Sequence, residues 1–342
     1  MGDTHQAFLA FQRAPEKNVI SWTSMITGYA RNGHGEQAFS FFVDMISYRL
    51  KPDDFTFGAV FHACSILVML GQGRMVHACA IHYGFHAYVY VANGLVNMYA
   101  KCGDIEGSSR AFDDICSKDL ISWNAMLFGY GLHGHASQAL RLYEEMVASG
   151  IKPDKVTFIG LLMTCSHSGL IEKGRVIFES MWSGYGLPHE WDHVACMVDM
   201  LGRGGYLAEA RELANNYSGT VSGKTSSSEA LLGACFAHGD VRTGMFLGED
   251  LKILDPQKDM NYVLLSNLYC ACGQWKEAEM VRMAMADQRV KKKPGYSWIE
   301  VGNKMAAFVA GDHSNPYMDE LCKILYFLEF EMRSPCFIGF GN

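Results

Sequence analysis

The feature that most constrains this 342-residue chain is an internal repeat with an offset of 101 residues. Residues 19–53 and 120–154 align without a gap, and both carry a tryptophan, a Gly-Tyr pair and a closing Lys-Pro-Asp. The similarity continues beyond each segment, where one inserted residue raises the offset to 102. Self-similarity of this kind is typical of stacked units that bury their apolar faces only against neighbours. The chain is therefore predicted to be a repeat array rather than an ordinary helical bundle.

Each unit of the repeat reads as a pair of helices. In the segment Leu120–Asp154, Trp123, Met126, Leu127 and Tyr130 follow the i, i+3, i+4, i+7 spacing of one helix face. A second helix with the same kind of apolar face follows a turn rich in glycine and histidine. Glycine and proline then end the unit before the next one begins.

The repeat divides the chain into four regions. Residues 1–18 look like part of a further unit, so the chain is expected to be a piece of a longer array. Residues 223–293 are expected to form further helical pairs. The Ser/Gly-rich segment 215–229, which overlaps the start of this region, is predicted to be a loop. Residues 294–342 form an extension. The array itself, 19–222, is predicted to contain six units: 19–53, 54–88, 89–119, 120–154, 155–190 and 191–222.

These units predict an all-α fold, a right-handed α-solenoid with a concave groove lined by the first helix of each pair. A small β-hairpin and a helix are expected at the C-terminus. The hairpin joins Ser297–Val301 to Met305–Val309, where apolar residues alternate. The final helix is expected to carry Leu321, Ile324, Leu325 and Leu328.

Composition narrows the classes of function. The net charge is −7, whereas a protein that holds nucleic acid mainly through phosphates is expected to be basic. Base edges would therefore have to carry much of any recognition. The eleven cysteines are scattered, and Cys64 and Cys165 stand at equivalent places in the repeat, which indicates buried packing residues rather than disulfides. No run approaches a membrane span, so no membrane partner is predicted, and no transit peptide is visible in this sequence.

The chain resembles the pentatricopeptide-repeat proteins of land plants, in the subclass whose repeats alternate between P, L and S types. SWTSMITGYARNGHGEQA and SWNAMLFGYGLHGHASQA are similar to P-type units, VTFIGLLMTCSHSGLIEKGR to an L-type unit, and NGLVNMYAKCGDIE to an S-type unit. NYVLLSNLYCACGQWKEA is similar to the C-terminal E-type motifs. KKKPGYSWIEV with FVAGDHSNP resembles the start of a DYW-type deaminase domain, which is expected to be truncated in this chain.

The resemblance implies sequence-specific binding of single-stranded RNA, one base per repeat, read by two side chains. In the family these are the fifth residue of the first helix and the last residue of the repeat. Here the matching pairs are Thr23 with Asp53, Asn93 with Asp119, and Asn124 with Asp154. By resemblance the Thr/Asp pair prefers G and the Asn/Asp pairs prefer U.

Other positions give weaker or no assignments. Asn18 closes the incomplete first repeat and leans toward A or a pyrimidine. Three positions or pairs match no base: Gly58 with Tyr88, Ile159 with Glu190, and Ala195. The expected footprint from 5′ to 3′ is therefore G, any base, U, U. Without the family match, polar residues early in a helix would more often be read as caps or solvated groove residues.

The chain is not predicted to be an enzyme. A zinc deaminase needs His-x-Glu followed by Pro-Cys-x-x-Cys, and this sequence contains no Cys-x-x-Cys. His34-Gly35-Glu36 has the first spacing but lies in a repeat turn, where the next copy has His133-Gly134-His135. No catalytic residue, metal site or cofactor is therefore assigned.

Three interpretations remain open at the level of sequence. The first is a site-recognition factor for C-to-U RNA editing in a mitochondrion, or alternatively a chloroplast, which recruits a DYW-type deaminase or other editing factors through the E-type region. The second is a factor for organellar RNA processing, splicing or stability. The third is a protein-interaction scaffold of the tetratricopeptide type, which the acidic charge favours.

Overall fold

The computed structural model describes residues 4–217, 221–292, 295–301, 304–309, 320 and 322–327. The chain forms two compact units, 1–291 and 292–342. Seventeen helices are described in the first unit. In chain order they are α1 Thr4–Arg13, α2 Val19–Arg31, α3 Gly35–Ser47, α4 Asp54–Leu67, α5 Leu70–His82, α6 Val89–Lys101, α7 Ile105–Asp113, α8 Leu120–Leu132, α9 Ala136–Ala148, α10 Lys155–Ser168, α11 Ile171–Tyr185, α12 Trp191–Arg203, α13 Leu207–Asn216, α14 Val221–His238, α15 Val241–Leu254, α16 Asp259–Ala271 and α17 Trp275–Asp287.

The helices of residues 1–291 stack as consecutive pairs. Along one layer α2, α4, α6, α8, α10, α12 and α14 lie side by side in chain order, and each contacts the helix that follows it. This arrangement confirms the predicted all-α solenoid. Two helices fall within each of the six intervals predicted for 19–222. The exact bounds of the units stay a prediction, because helix positions alone do not define where one repeat ends.

The apolar face predicted for Leu120–Asp154 is the core face of α8. Met126 and Leu127 are fully buried there, and Trp123 is nearly so. The turn into α9 passes through Gly134, whose φ of 69° is left-handed. A residue without Cβ adopts that conformation at little cost, so the helix pair closes tightly at this point.

The expectation of a loop over 215–229 is wrong at Asn215 and Asn216, which end α13, and from residue 221 onward. Helix α14 begins at Val221 and runs to His238, whereas residues 218–220 lie outside the described part of the chain. The serines have only a weak preference against the helical state. Burial of Leu231, Leu232 and Cys235 outweighs that preference, because α14 packs against α12 and α15.

The unit 292–342 contains the predicted hairpin. Strands β1 (Tyr296–Val301) and β2 (Lys304–Val309) pair antiparallel, with Tyr296 opposite Val309 and Val301 opposite Lys304. Residues 322–327 are helical, as expected for the last helix. Leu321 and Leu328 of that predicted helix lie outside the described residues.

Four of the ten described cysteines are buried packing residues, as predicted, whereas Cys116, Cys272 and Cys322 are exposed. Cys64 and Cys165 are fully buried, and all ten cysteines in the described ranges are free thiols. Burial raises the pKa of Cys64 to about 12 and that of Cys165 to about 11, which keeps both thiols protonated. No helix in the described ranges combines the length and the apolar character needed to cross a membrane.

Candidate nucleic-acid interface

The aspartates predicted to read bases are the N-caps of the first helices. Asp53, Asp119 and Asp154 have extended backbones before α4, α8 and α10, and each accepts a backbone N–H from the third helical residue at 2.8 Å. That third residue carries a hydroxyl that donates to the same carboxylate. The resulting capping boxes join Asp53 to Thr56, Asp119 to Ser122, and Asp154 to Thr157. Capping therefore fixes each aspartate at the mouth of a helix.

Both predicted Asn/Asp pairs are joined by hydrogen bonds. Asn93 Nδ2 donates to Asp119 Oδ1 at 3.1 Å, and Asn124 Nδ2 donates to Asp154 Oδ1 at 3.1 Å. The two asparagines, on α6 and α8, are 8% and 7% exposed, so their amides are held rather than free to rotate. Each of these hydrogen bonds thus joins the last residue of a repeat to the fifth residue of the first helix of the same repeat.

The Thr23/Asp53 pair is joined through a third residue. Thr23 Oγ1 lies 2.7 Å from Thr56 Oγ1, and the Thr56 hydroxyl donates to Asp53 Oδ1 at 2.6 Å. Asn18 stands apart from the other predicted residues. It is exposed and caps α2 through a reciprocal box with Ser21, and it has no hydrogen bond to a fifth-position side chain in the described structure.

The two asparagines differ in what their acceptor oxygens do. Thr157 Oγ1 lies 2.7 Å from Asn124 Oδ1 and 2.8 Å from Asp154 Oδ1, so its single hydroxyl proton is shared between an acceptor oxygen of each residue of the pair. Ser122 bonds only the aspartate of its pair, and Asn93 Oδ1 is buried with no partner among the described residues. An unmet buried acceptor costs about 1–3 kcal/mol, which a donor from a ligand or a water would relieve.

The carboxylates of Asp119 and Asp154 are held in their charged form. Partial burial alone would raise the pKa of Asp119 and Asp154, but hydrogen bonds from the capped backbone N–H, the capping hydroxyl and the asparagine amide outweigh it. The pKa of each carboxyl therefore lies below its usual range. The N-terminal end of a helix dipole favours the same negative charge.

This lowered pKa predicts a pH dependence of stability. A carboxylate with a lower pKa in the folded state stabilises the fold above its unfolded pKa of about 3.9, and the stabilisation is lost as the pH falls through the folded value. We expect the urea midpoint of the wild type to fall as the pH drops below about 4, and that of Asp154→Asn to fall less, because its amide does not titrate.

Asn124→Ala serves as the matched comparison for that measurement. It keeps the aspartate but removes one of its donors, so the pKa of Asp154 should move toward its ordinary value and the pH dependence should become intermediate. Identical pH profiles for the wild type and Asp154→Asn would contradict the assignment of a lowered pKa to this carboxyl.

A row of exposed apolar side chains flanks the pairs. The second residue of each of the five first helices α2, α4, α6, α8 and α10 is apolar and exposed by 45–73%, although its helix has a buried face elsewhere. These residues are Ile20, Phe55, Tyr90, Ile121 and Val156. Aromatic side chains such as Phe55 and Tyr90 can stack on bases without regard to sequence, and the aliphatic ones can contact a base by van der Waals packing.

Two cations lie at the C-terminal ends of α2 and α6, on either side of the histidine of α4. Arg31 ends α2, Lys101 ends α6, and His62 lies between them on α4. Burial, Lys101 and Arg31 all lower the pKa of His62, so the two cations act on the imidazole electrostatically. Two cations at one end of these helices can attract phosphate locally even though the chain as a whole is acidic.

The positions that matched no base are structurally different. Tyr88 is an N-cap without a side-chain capping bond, and Gly58 has no side chain to contribute. Glu190 forms an ion pair with Lys155, and this hydrogen bond holds the pKa of its carboxyl below the usual value. Ala195, on α12, offers no polar group.

Sequence reasoning missed two sets of residues at this surface. The capping hydroxyls follow the aspartates at a fixed distance of three residues, a spacing that marks a capping box. The second-position apolar residues recur with the repeat period and fall outside the buried helix face. Both signals were present in the sequence. Across the described residues, no three His, Cys, Asp or Glu side chains are grouped to hold a metal ion.

Two family models match the chain. The model of the PPR repeat family matches residues 17–65 and 118–167, and the model of the E motif matches residues 238–300. The two repeat matches begin 101 residues apart, the same offset as the internal repeat. The matched segments include Asp53, Asn124 and Asp154 and the second-position residues of α2, α4, α8 and α10.

Curated relatives and a solved structure agree with these matches. Pentatricopeptide repeat-containing protein At2g36980, mitochondrial, of Arabidopsis thaliana is 57% identical over 86% of this chain and 48% of its own length. Pentatricopeptide repeat-containing protein CRR2, chloroplastic, from the same plant is 36% identical over 98% of this chain and 51% of its own length. The chain thus spans about half of each relative. The crystal structure of PPR10 in complex with an 18-nt psaJ RNA element superposes with a TM-score of 0.51 at 16% identity, covering 84% of this chain and 48% of that one.

Proposed function

Because the chain belongs to the pentatricopeptide-repeat proteins and carries an E motif, we propose that it binds single-stranded RNA of a plant organelle in a sequence-specific manner. The observation that carries the proposal is a recurring arrangement along the first helices. A polar fifth residue is tied to a capped aspartate, and an exposed apolar second residue stands beside the pair. Polar edges select a base and apolar faces stack on it.

The proposed reading assigns one base to each pair. Thr23 with Asp53 reads G, Asn93 with Asp119 reads U, and Asn124 with Asp154 reads U, which gives the footprint G, any, U, U. An amide offers both a donor and an acceptor to a base edge, whereas a hydroxyl offers one rotating group. Asn18 is assigned a weaker preference for A or a pyrimidine.

The proposed role of the protein is non-enzymatic. The array 19–222 would select a transcript for C-to-U editing, and the E-type region, 223–293, would recruit a DYW-type deaminase or other editing factors in trans. Residues 294–342 are assigned to a DYW-like extension. The mitochondrion is favoured because the 57% identical relative is named mitochondrial, and a chloroplast is the alternative because CRR2 is named chloroplastic.

A gel-shift titration tests RNA binding. We expect a 12-nucleotide RNA containing G-A-U-U to bind about tenfold more tightly than a scrambled RNA of the same composition, because each well-placed polar contact is worth about 1–3 kcal/mol. Equal affinity for both RNAs would contradict sequence-specific recognition. No binding to either would favour the scaffold of the tetratricopeptide type.

Editing is tested separately from binding. Sequencing of organellar transcripts from plants that lack the gene should reveal a lost C-to-U change downstream of a matching footprint. Altered splicing or abundance of such a transcript with all C-to-U changes intact would instead support the alternative role in RNA processing, splicing or stability.

A further inference from the structure

One aromatic side chain lies across a place that other repeats use for base reading. Gly58 is the fifth residue of α4, equivalent to Thr23, Asn93 and Asn124 in their helices. A Cβ added to Gly58 would lie 2.6 Å from Tyr90 Cε1 and 2.9 Å from Tyr90 Oη. These distances are shorter than real carbon contacts, so the phenol ring occupies the space that a fifth-position side chain would fill.

The same ring also closes a gap along the groove. Tyr90 and Phe55 are the second residues of α6 and α4, and their ring centroids are 5.6 Å apart at 50°. A base held between two rings needs them about 7 Å apart, since each contact takes about 3.5 Å. The two rings therefore leave no room for a base between them. Both are more than half exposed, so the closure lies at the surface where RNA would run.

The neighbouring space is open by contrast. A cleft of 660 Å³ lies between α2 and α4, lined by Ile20, Thr23, Asp53, Phe55, Gly58 and Tyr90 among others, so Gly58 borders both this cleft and the Tyr90 ring. In this cleft Tyr90 is one of the lining residues and does not fill the space. The cleft contains the first predicted base-reading pair, and its far side ends at the ring.

The second L-type unit lacks this closure. In residues 155–190 the fifth residue of α10 is Ile159, and the second residue of α12 is Asp192 in place of an aromatic ring. The arrangement is therefore particular to the unit 54–88 and does not follow from the repeat type.

We propose that Tyr90 excludes the second nucleotide of the footprint from the groove, so that the unit 54–88 acts as a spacer between a read G and a read U. This inference rests on the proposed RNA binding and adds a specificity-determining residue to it. The base opposite the unit 54–88 stays outside the groove for two reasons. The Tyr90 ring fills the space beside Gly58, and the rings of Phe55 and Tyr90 are too close together to admit a base between them.

Abasic RNA tests the proposal. The probes are the G-A-U-U RNA and two versions with an abasic ribose at nucleotide 2 or at nucleotide 4. For the wild type we expect loss of base 2 to change the affinity less than twofold, and loss of base 4 to weaken binding at least fivefold, because a stacked base is worth about 1–3 kcal/mol.

Three variants separate exclusion by the ring from other effects. Tyr90→Val opens the gap, so base 2 can enter beside Phe55, and its loss should then weaken binding at least fivefold. Tyr90→Phe keeps the ring and should behave as the wild type. Ile121→Val changes another second-position residue. Loss of base 2 should still change the affinity of this variant less than twofold. All three lie at exposed sites, so the fold is expected to tolerate them.

The outcomes separate this inference from the proposed function. If loss of base 2 weakens wild-type binding as much as loss of base 4, or if Tyr90→Val stays insensitive at nucleotide 2, exclusion by Tyr90 is wrong while base reading at nucleotide 4 still holds. If no abasic position changes the affinity of any protein, base reading fails and the exclusion fails with it.

Discussion

Asn124→Thr is expected to change the preferred fourth nucleotide of the footprint from U to G. The discrimination between the two bases should move by about 2–3 kcal/mol in total, because one set of polar contacts is lost and another gained. That shift corresponds to about a 30- to 150-fold change in the ratio of the two affinities. The measurement is a competition titration with RNAs that differ only at nucleotide 4.

The structure explains why this position suits the exchange. At the first pair, Thr23 contacts Thr56, which donates to Asp53. The capping hydroxyl beside Asn124 also belongs to a threonine, Thr157, and it bonds the aspartate in the same way. Replacing Asn124 by threonine therefore rebuilds the arrangement of the first pair.

Asn93→Thr is the matched control for the exchange. It makes the same chemical change one repeat earlier, so it should alter nucleotide 3 and leave nucleotide 4 as in the wild type. Its capping residue is Ser122 rather than threonine, so a smaller shift is expected there. An unchanged preference at nucleotide 4 in Asn124→Thr would refute the assignment of this base.

Phe158→Ala is expected to destabilise the array by about 3–5 kcal/mol. Phe158 is fully buried in α10 and meets Tyr143 and Tyr185 edge-on, with ring centroids 6.3 and 5.4 Å away. Its loss opens a cavity between α9, α10 and α11. Because each repeat is stabilised by its neighbours, the damage should reach the adjacent units as well.

The measurement is urea unfolding followed by far-UV circular dichroism, with RNA affinity as a second readout. Phe246→Ala is the control, since Phe246 is 68% exposed on α15 and its truncation should stay within about 0.5 kcal/mol of the wild type. The helix that carries Phe158 also begins at the Asp154 cap, so RNA binding should weaken together with stability. A stability within 1 kcal/mol of the wild type would show that the cavity closes by repacking.

Local patterns in the sequence predicted most of the helices and the hairpin. The 101-residue offset identified equivalent residues, and the 3.6-residue periodicity identified which face of α8 is buried. The pattern failed at residues 215–216 and 221–229, where serine and glycine suggested a loop. Helix α14 forms over the second of these segments because three apolar residues near its end are buried against neighbouring helices, a contribution that local propensity does not contain.

The sequence by itself determined that this chain is an array of helix pairs and which side chains recur at equivalent places, because periodicity is a property of the chain alone. Tertiary structure decided which of those side chains meet. Asn124 reaches Asp154, 30 residues away, only because α8 and α10 pack side by side. Tyr90 covers Gly58 for the same reason, since α4 and α6 are adjacent. Contacts between helices depend on how the units stack, and no local sequence pattern specifies that distance.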